Sequence, residues 1–225
     1  MCGRFLLITV SRDVAERFEL DEEPSLSPRY NIAPTQMVAA IRLGPHTARR
    51  KLHMLKWGLI PFWSKDGSMG ARMINARADT AAQKPVFRAA FRHRRCLILA
   101  DGFYEWKRDK GTKQPYLVRT ADGKTFAFAG LWEAWQDPHG DLIESCAILT
   151  TDANELVLPI HDRMPVILRR TDYDLWLDPL VNRPELLEHL LCPYPAVEMT
   201  ARPANPKVNK SSYDQPDCIE WPSSP

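Results

Sequence analysis

The sequence predicts a single globular domain in which short strands and short helices share one core. With 225 residues, 44% of them hydrophobic, the chain is long enough to bury one substantial core. Its apolar runs are short, as is typical of strands, and several stretches between them have helical spacing. No linker divides the chain, so we expect residues 1–225 to form one domain.

The first part of the chain predicts one short helix and two strands. Ser11 is a candidate N-cap for a helix in which Val14 and Phe18 lie one turn apart. After a proline-containing loop, residues 37–43 and 51–55 have the apolar character of buried strands.

The middle of the chain predicts a helix followed by a buried strand. Val86, Phe87, Ala90 and Phe91 fall on one helical face. The apolar run 96–100 then predicts a strand that leads into residues 101–106.

Further along, residues 115–119 and 125–129 are predicted to pair as a hairpin, because Asp-Gly in the segment 121–124 favours a turn. Another strand is expected at 146–151, and a short capped helix at 152–155. Helices are also predicted at 171–176 and 184–191. From about residue 201 to 225 the chain is rich in proline, which predicts a C-terminal tail extended along the surface or disordered at its end.

Composition limits the classes of function. The formal charge of +2 is too small to indicate a nucleic-acid binder by itself. Basic residues are nevertheless concentrated between residues 71 and 95, and we expect an anionic partner there, including for the cluster Arg88–Arg95. The five cysteines and six histidines show neither disulfide nor metal-binding spacing, so no metal and no cofactor is predicted.

The sequence also predicts where the protein works. No signal peptide and no apolar stretch as long as a membrane span is visible. A cytoplasmic protein with no membrane contact is therefore expected.

The N-terminal residues offer unusual chemistry. If Met1 is removed, Cys2 carries a primary amine and a thiol on adjacent carbons, with ordinary pKa values of roughly 7.7 to 8 and about 8.5. Such a residue can attack an acyl carbon through sulfur, or condense with an aldehyde through nitrogen and close a sulfur-containing ring. The two routes remain open at this point.

Three later segments hold candidate site residues. Glu105 lies between aromatic residues, which favours partial burial and a raised pKa suited to proton transfer. His161 is flanked by an acid and an arginine in a loop before a predicted strand. If residues 73–78 are extended, Asn75 and Arg77 project from one face and suit a phosphate or sugar oxygen.

Aromatic residues are concentrated in the segment 57–63. Trp57 is predicted to lie in the core, whereas Trp63, which precedes a polar stretch, is predicted to be exposed. An exposed ring on a loop stiffened by proline could stack on a base.

These segments together resemble the SOS response-associated peptidase (SRAP) family of abasic-site processing proteins. The resemblance covers residues 2 to about 168, with a weaker echo at Val208-Asn209. The motifs that carry it are Cys2-Gly3-Arg4-Phe5, Tyr30-Asn31-Ile32-Ala33-Pro34, Trp57-Gly58-Leu59-Ile60-Pro61, Ile74-Asn75-Ala76-Arg77, Ala100-Asp101-Gly102-Phe103-Tyr104-Glu105-Trp106 and His161-Asp162-Arg163-Met164-Pro165.

The resemblance implies a compact α+β fold with a curved, barrel-like antiparallel sheet, flanking helices and a groove for single-stranded DNA. It also implies a covalent thiazolidine crosslink between Cys2 and the ring-opened sugar of an abasic site, formed after Met1 has been removed. The protein would then be a sensor and shield of such sites. By the same resemblance the removal of Met1 is self-processing, and the protein would not digest other proteins.

The resemblance further assigns roles to residues. Cys2, Asn75, Glu105 and His161 would be catalytic: Glu105 would take a proton, His161 would help open the sugar ring, and Asn75 would hold the sugar or its phosphate. The residues implied in DNA binding are Arg4, Asn31, Pro34, Trp63, Arg77 and Arg163. Single-stranded DNA at replication-fork junctions is the implied partner, and a monomer associated with the nucleoid when bound to DNA is expected.

Two other functions compete with this interpretation. Glutamine amidotransferases of one class also begin Met-Cys-Gly, which would make Cys2 the nucleophile of an amidohydrolase. Alternatively, the protein could be a non-catalytic module that binds single-stranded nucleic acid through its arginines and tryptophans.

Overall fold

The computed structural model describes residues 2–44, 47, 49–109 and 111–221. It contains two curved sheets, four short α-helices and several single turns of 3₁₀ helix. The strands are β1 (Arg4–Leu7), β2 (Arg29–Ile32), β3 (Met37–Leu43), β4 (Arg50–Trp57), β5 (Asn75–Arg77), β6 (Arg95–Ala100), β7 (Gly102–Asp109), β8 (Thr112–Thr120), β9 (Phe126–Gln136), β10 (Leu142–Asp152), β11 (Arg163–Pro165), β12 (Ile167–Leu168) and β13 (Met199–Pro203). The helices are α1 (Ser11–Phe18), α2 (Ala78–Ala81), α3 (Arg88–His93) and α4 (Tyr173–Leu177), and the 3₁₀ turns are Gly67–Arg72, Arg170–Asp172, Pro184–Leu186, Glu188–Leu190, Ala196–Glu198, Pro206–Asn209 and Pro216–Ile219.

Five strands close into a barrel. They follow the order β10-β4-β3-β6-β9, and β9 pairs back onto β10. The predicted barrel-like sheet of an α+β domain is thereby confirmed. Most pairings are antiparallel, but β4 and β5 each run parallel to β10, so the sheet is mixed.

The barrel interior is filled by aromatic and aliphatic side chains. Phe5 packs edge-on against Trp57 and Phe128, with ring centroids 5.1 and 5.7 Å apart. Trp57 is fully buried, as the sequence predicted. Aromatic edge-to-face pairs add to the free energy gained from burial alone, and here they fix the start of β1 to the barrel.

A second sheet lies against the barrel in the order β13-β8-β7-β1-β2. A separate small core covers it, formed by Leu6, Tyr104 and Leu117 together with Ala204, Val208 and Cys218 of the C-terminal segment. We call residues 204–219 the C-terminal strap. Because β1 runs between β7 and the edge strand β2, the first residues of the chain have a partner strand on each side.

The predicted hairpin of residues 115–129 is wrong. Residue Gly123 has φ +68° and the chain does turn there, but β8 pairs with β7 and β13 in one sheet, whereas β9 pairs with β6, β10 and β12 in the other. The turn therefore carries the chain from one sheet to the next. The true partner of β8 is β7, with Glu105 opposite Tyr116.

Other local predictions need smaller corrections. Ser11 is the first residue of α1 rather than its N-cap, and its hydroxyl accepts a hydrogen bond from the backbone N–H of Leu26 at 3.1 Å. The predicted helix at 152–155 is absent: Asp152 ends β10, and residues 155–160 form turns. The segment 184–191 forms two 3₁₀ turns.

The proline-rich C-terminal region also differs from the expected surface tail. Strand β13 pairs with β8 along five residues, from Met199 to Pro203. The strap that follows buries Ala204, Asn205, Val208 and Cys218. Proline restricts regular hydrogen bonding but does not prevent packing, so this region is part of the fold through Trp221, the last described residue.

None of the helices in the described part of the chain is both long and apolar enough to span a membrane.

Candidate functional site

The candidate site forms where β1, β5 and β7 come together. Strand β1 pairs with β7 so that Arg4 lies opposite Tyr104, which brings the start of the chain beside Glu105. Strand β5 lies along β10, with Asn75 opposite Ile148. Elements far apart in sequence thus surround Cys2.

Cys2 is fully buried. Its backbone carbonyl accepts a hydrogen bond from Asn75 Nδ2 at 2.8 Å, and its thiol lies 3.9 Å from the carbonyl oxygen of Arg4. Burial raises the pKa of the Cys2 thiol well above its usual range, and the Glu105 carboxylate raises it further. The resting thiol is therefore protonated.

Glu105 is also buried, with 2% of its surface exposed. Burial raises the pKa of its carboxyl group, while the nearby His161 acts in the opposite direction. The sequence prediction of a desolvated glutamate is consistent with this position. A carboxyl group whose pKa has moved toward neutrality can both accept and donate a proton.

His161 lies in the loop before β11 and is held by its neighbours. The backbone N–H of Arg163 donates to His161 Nδ1 at 3.0 Å, so the neutral ring carries its proton on Nε2. Asp162 Oδ1 is 2.9 Å from the same nitrogen, and this contact becomes an ion pair if the ring is protonated. The ring is thereby oriented with Nε2–H as a donor.

Glu105 and His161 line one open cavity of about 520 Å³. The other lining residues are Trp106, Arg108, Lys113 and Asn209. The cavity therefore places a proton-transfer carboxyl and an imidazole on the wall of a space large enough for a small part of a ligand, with two cations beside them.

Asn75 is half-buried and its two amide atoms differ in use. Its Nδ2 donates to the Cys2 carbonyl, whereas its Oδ1 is buried and has no hydrogen-bond partner among the described residues. A buried acceptor without a donor is costly, so this oxygen is suited to receive a hydroxyl or amino group of a ligand.

Arg4 is partly buried and tied to the C-terminal strap. Its guanidinium donates to Asn31 Oδ1 at 2.9 Å and to the carbonyl of Val208 at 2.6 Å, and it lies 6.0 Å from the ring centroid of Trp106. Trp106 in turn donates from Nε1 to Asn209 Oδ1 at 2.6 Å. The strap thus orients two side chains beside the candidate site.

Asn31 is fully buried, which the prediction of DNA contact did not anticipate. Its amide nitrogen lies 3.2, 3.1 and 2.7 Å from the carbonyl oxygens of Val208, Lys210 and Tyr213. In this arrangement the side chain is enclosed by protein, and it positions Arg4 instead of facing a ligand.

The two other predicted arginines differ from each other. Arg77 is exposed and paired with Asp79, with its terminal nitrogen 2.7 Å from the carboxylate, and an exposed pair of this kind is easily exchanged. Arg163 is buried and donates to Asp152 and to the carbonyl of Thr150, both at 2.6 Å. A phosphate would have to compete with Asp152 for Arg163.

The loop residues Pro34 and Trp63 lie on adjoining segments. The backbone N–H of Thr35 donates to the carbonyl of Trp57 at 2.8 Å, which joins the Pro34 turn to the start of the aromatic segment. Trp63 is 51% exposed, as predicted, and Phe62 beside it is 59% exposed. The bond from Trp135 Nε1 to the carbonyl of Ser64, at 2.7 Å, anchors the end of this loop.

The cluster Arg88–Arg95 does not form one basic surface. Arg88 and Arg92 are exposed, but Arg94 donates to Glu133 at 2.7 Å and Arg95 is buried against backbone carbonyls at the end of α4. Part of this charge therefore stabilises the fold.

Sequence reasoning missed Asn209, Arg108 and Lys113 as residues of the cavity wall. The only sequence signal for Asn209 was the weak family echo at Val208-Asn209. Arg108 and Lys113 lie near the turn between β7 and β8, and a charged turn gives no indication in sequence that it borders a site.

The fold and these residues define a class: a single-domain α+β barrel protein with a candidate site built around a cysteine at position 2. The chain belongs to the SOS response associated peptidase (SRAP) family, whose model matches residues 1–211.

The chain is similar to known proteins over most of its length. It is 44% identical over 224 residues to the abasic site processing protein YoqW of Bacillus subtilis, covering 98% of this chain and 99% of that protein. It is 30% identical to the abasic site processing protein HMCES of Xenopus tropicalis, covering 85% of this chain and 65% of that one. A crystal structure of a Bacteroides thetaiotaomicron protein matches with a TM-score of 0.88 and 28% identity over 97% of this chain and 99% of that chain.

Proposed function

We propose that this protein processes abasic sites in DNA by forming a covalent adduct through Cys2 after Met1 has been removed. The observation that carries the proposal is the meeting of Cys2 with Asn75 and with the buried carboxyl of Glu105. The names of the relatives, which are abasic site processing proteins, support the substrate class.

The first step uses the Cys2 amine. An abasic deoxyribose in its ring-opened form has an aldehyde at C1′, and the amine nitrogen adds to this carbon to give a carbinolamine. Loss of water then leaves an imine between the Cys2 nitrogen and C1′. Glu105 accepts a proton from the attacking nitrogen and can return it to the leaving hydroxyl, since its pKa is raised by burial.

The second step uses the Cys2 thiol. Sulfur adds to the imine carbon, the thiol proton passes to nitrogen, and a five-membered thiazolidine ring closes without loss of any atom. A thiol with a raised pKa is a poor nucleophile before the imine exists. Amine attack therefore precedes sulfur attack, and Glu105 again serves as the proton carrier.

His161 and Asn75 prepare the sugar. The Nε2–H of His161 is oriented as a donor by the backbone of Arg163, and it can protonate the ring oxygen as the sugar opens. The opened sugar then has a hydroxyl at C4′. The buried Oδ1 of Asn75 is an acceptor suited to such a hydroxyl.

Exposed and partly exposed residues are proposed to position the DNA. Arg77 and Arg4 are proposed to contact phosphates, which fixes the position of the strand without reading its sequence. Trp63 and Pro34 would stack or wedge at the lesion. This arrangement favours single-stranded DNA and strand junctions over duplex, and we propose that the protein acts on it as a monomer.

Removal of Met1 is a precondition, because an acylated Cys2 nitrogen cannot form an imine. We propose that the protein cleaves this bond itself: the Cys2 thiol attacks the Met1 carbonyl carbon, and the Cys2 nitrogen leaves as an amine with a proton carried by Glu105. Water then hydrolyses the resulting thioester, which releases methionine and restores the thiol. A purified Glu105→Gln protein that keeps Met1, in a host where wild type has lost it, would support self-processing.

Mass spectrometry of protein mixed with an abasic oligonucleotide tests the proposal. The expected product has the mass of Met1-free protein plus oligonucleotide minus one water, with the modification on Cys2. Cys2→Ala and Cys2→Ser both lack the thiol, so neither should close the thiazolidine or give a stable adduct. Where a host aminopeptidase has removed Met1 from Cys2→Ser, the free amine should form only an imine, which is detected after borohydride reduction. A stable adduct at another residue would overturn the mechanism.

The same protein preparation also tests the two rival functions. A glutamine amidotransferase would release ammonia from glutamine without DNA, and we expect none. A binding-only module would retain full function after Cys2→Ala, whereas the proposal expects DNA binding without crosslinking.

A further inference from the structure

Strands β7 and β8 each carry a cation close to the point where the chain passes from one to the other. Arg108 on β7 lies directly opposite Lys113 on β8 in this antiparallel pair. Both side chains are exposed, and neither has an ion-pair partner among the described residues. Like charges placed directly across a strand pair destabilise a sheet, so the fold itself gains nothing from this arrangement.

An anion placed between the two side chains would reverse this unfavourable interaction. Guanidinium and ammonium groups both bind phosphate oxygens, the first as a two-pronged donor and the second as a point charge. A cross-strand pair presents the two groups from adjacent strands, so that a single phosphate group can contact both.

The cavity identifies the anion more closely. Arg108 and Lys113 line the same cavity of about 520 Å³ as Glu105 and His161. An anion bound to the two cations is therefore adjacent to the residues proposed to act on the abasic sugar. Burial of Glu105 favours its uncharged form, so the carboxyl opposes such an anion only weakly.

Trp106 forms the cavity wall between the cations and Glu105. Trp106 is held by the bond from its Nε1 to Asn209 Oδ1, and it is the residue that links Glu105 to the turn along β7. The distance from Glu105 to Arg108 is three residues of extended chain, about 10 Å. This spacing is close to that of one to two nucleotides in a strand, so the cations suit a nearby phosphate of the same strand.

We infer that Arg108 and Lys113 bind a phosphodiester group of the DNA strand beside the abasic site. The inference rests on the proposed function, because it takes DNA with an abasic site as the ligand. The inference adds a second DNA-contacting surface, separate from the one that contains Arg77 and Trp63.

Oligonucleotides with a single methylphosphonate test the inference. This group replaces one charged phosphate by a neutral one, and it is moved in turn through the positions on either side of the abasic site. Loss of one phosphate contact from single-stranded DNA should weaken non-covalent binding about 5-fold at about 0.1 M salt, from a salt dependence of about 0.7 per contact. Cys2→Ala protein is used for binding, so that crosslinking does not interfere.

The variant Arg108→Ala/Lys113→Ala, made in the same background, should bind the unmodified oligonucleotide about 5-fold more weakly or worse. At one methylphosphonate position it should show no further loss, whereas the parent protein does. Lys124→Ala/Arg183→Ala is the matched control, since these two cations are exposed and do not line the cavity. It should respond to every methylphosphonate as the parent does.

The inference is overturned if the Arg108/Lys113 variant binds like the parent, or loses affinity to the same extent as the parent at every modified position. The two proposals fail separately. If wild type forms no adduct with any abasic oligonucleotide, the proposed function is wrong. If the adduct forms and the variant binds normally, only the phosphate site is wrong.

Discussion

Replacing Asn31 with alanine should loosen the C-terminal strap from the sheet that it covers. The Asn31 amide is fully buried and lies within hydrogen-bond distance of three carbonyl oxygens of residues 208–213. Its Oδ1 accepts from Arg4. Alanine removes all of these bonds at once and adds no donor in their place.

The expected loss follows from the number of bonds. Two amide N–H groups and one acceptor are removed, and each hydrogen bond contributes about 1 kcal/mol net, more where a buried partner is left unsatisfied. The free energy of unfolding should therefore fall by about 3 kcal/mol. Urea denaturation measures this change, and limited proteolysis measures whether cleavage begins within residues 204–219.

Asn31→Asp is a useful companion, because the aspartate keeps an acceptor for Arg4 but places a charge beside three carbonyl oxygens. It should destabilise the strap while retaining the contact with Arg4. A loss below about 1 kcal/mol for Asn31→Ala, with the strap no more sensitive to protease than in wild type, would refute this account of Asn31.

Three other changes give separate tests. Glu105→Gln should raise the free energy of unfolding at neutral pH, because wild type has there a buried carboxyl of raised pKa that is costly to ionise. This gain should disappear near pH 4. Urea titrations at both pH values measure it, and no gain at neutral pH would contradict the prediction. Gly130→Ala should cost about 1–3 kcal/mol in thermal unfolding, because its Cβ would lie 2.7 Å from Cys96 Sγ; an unchanged melting temperature would disprove the clash. Trp63→Ala should leave stability within about 0.5 kcal/mol but weaken binding of single-stranded DNA by about 1–3 kcal/mol, and equal binding would exclude stacking.

Strand positions could be predicted well from the sequence. The run predicted at 37–43 coincides with β3, and the run at 96–100 lies within β6 (Arg95–Ala100). Each strand contains a short buried apolar stretch, residues 38–41 in β3 and 96–100 in β6, and each stretch ends at a charged residue, Arg42 and Asp101. This signal is local and needs no knowledge of the partner strand.

Strand partners could not be predicted in the same way. The Asp-Gly turn at 122–123 indicates that the chain reverses, but it does not say whether the next strand joins the same sheet. Here β9 has six residues opposite β6 and leaves β8 to pair with β7 and β13. Pairing depends on which faces can be buried together, and that is a property of the whole domain.

The same distinction between local and long-range signals applies to the candidate site. The burial of Glu105 follows from aromatic neighbours in its own strand, so the sequence contained the relevant signal. The burial of Asn31 depends on carbonyl groups 177–182 residues away, and the fixed orientation of Trp106 depends on Asn209. No local pattern could have indicated these contacts.

The position of β1 has a consequence for the order of events during synthesis. Cys2 is fully buried, and β1 is enclosed only when β7, which begins at Gly102, pairs with it. An external aminopeptidase can reach the bond between Met1 and Cys2 on the growing chain, before β7 has left the ribosome. Once β7 is paired, Cys2 is buried and no longer open to an external enzyme, so the two routes of processing belong to different times in the life of the chain.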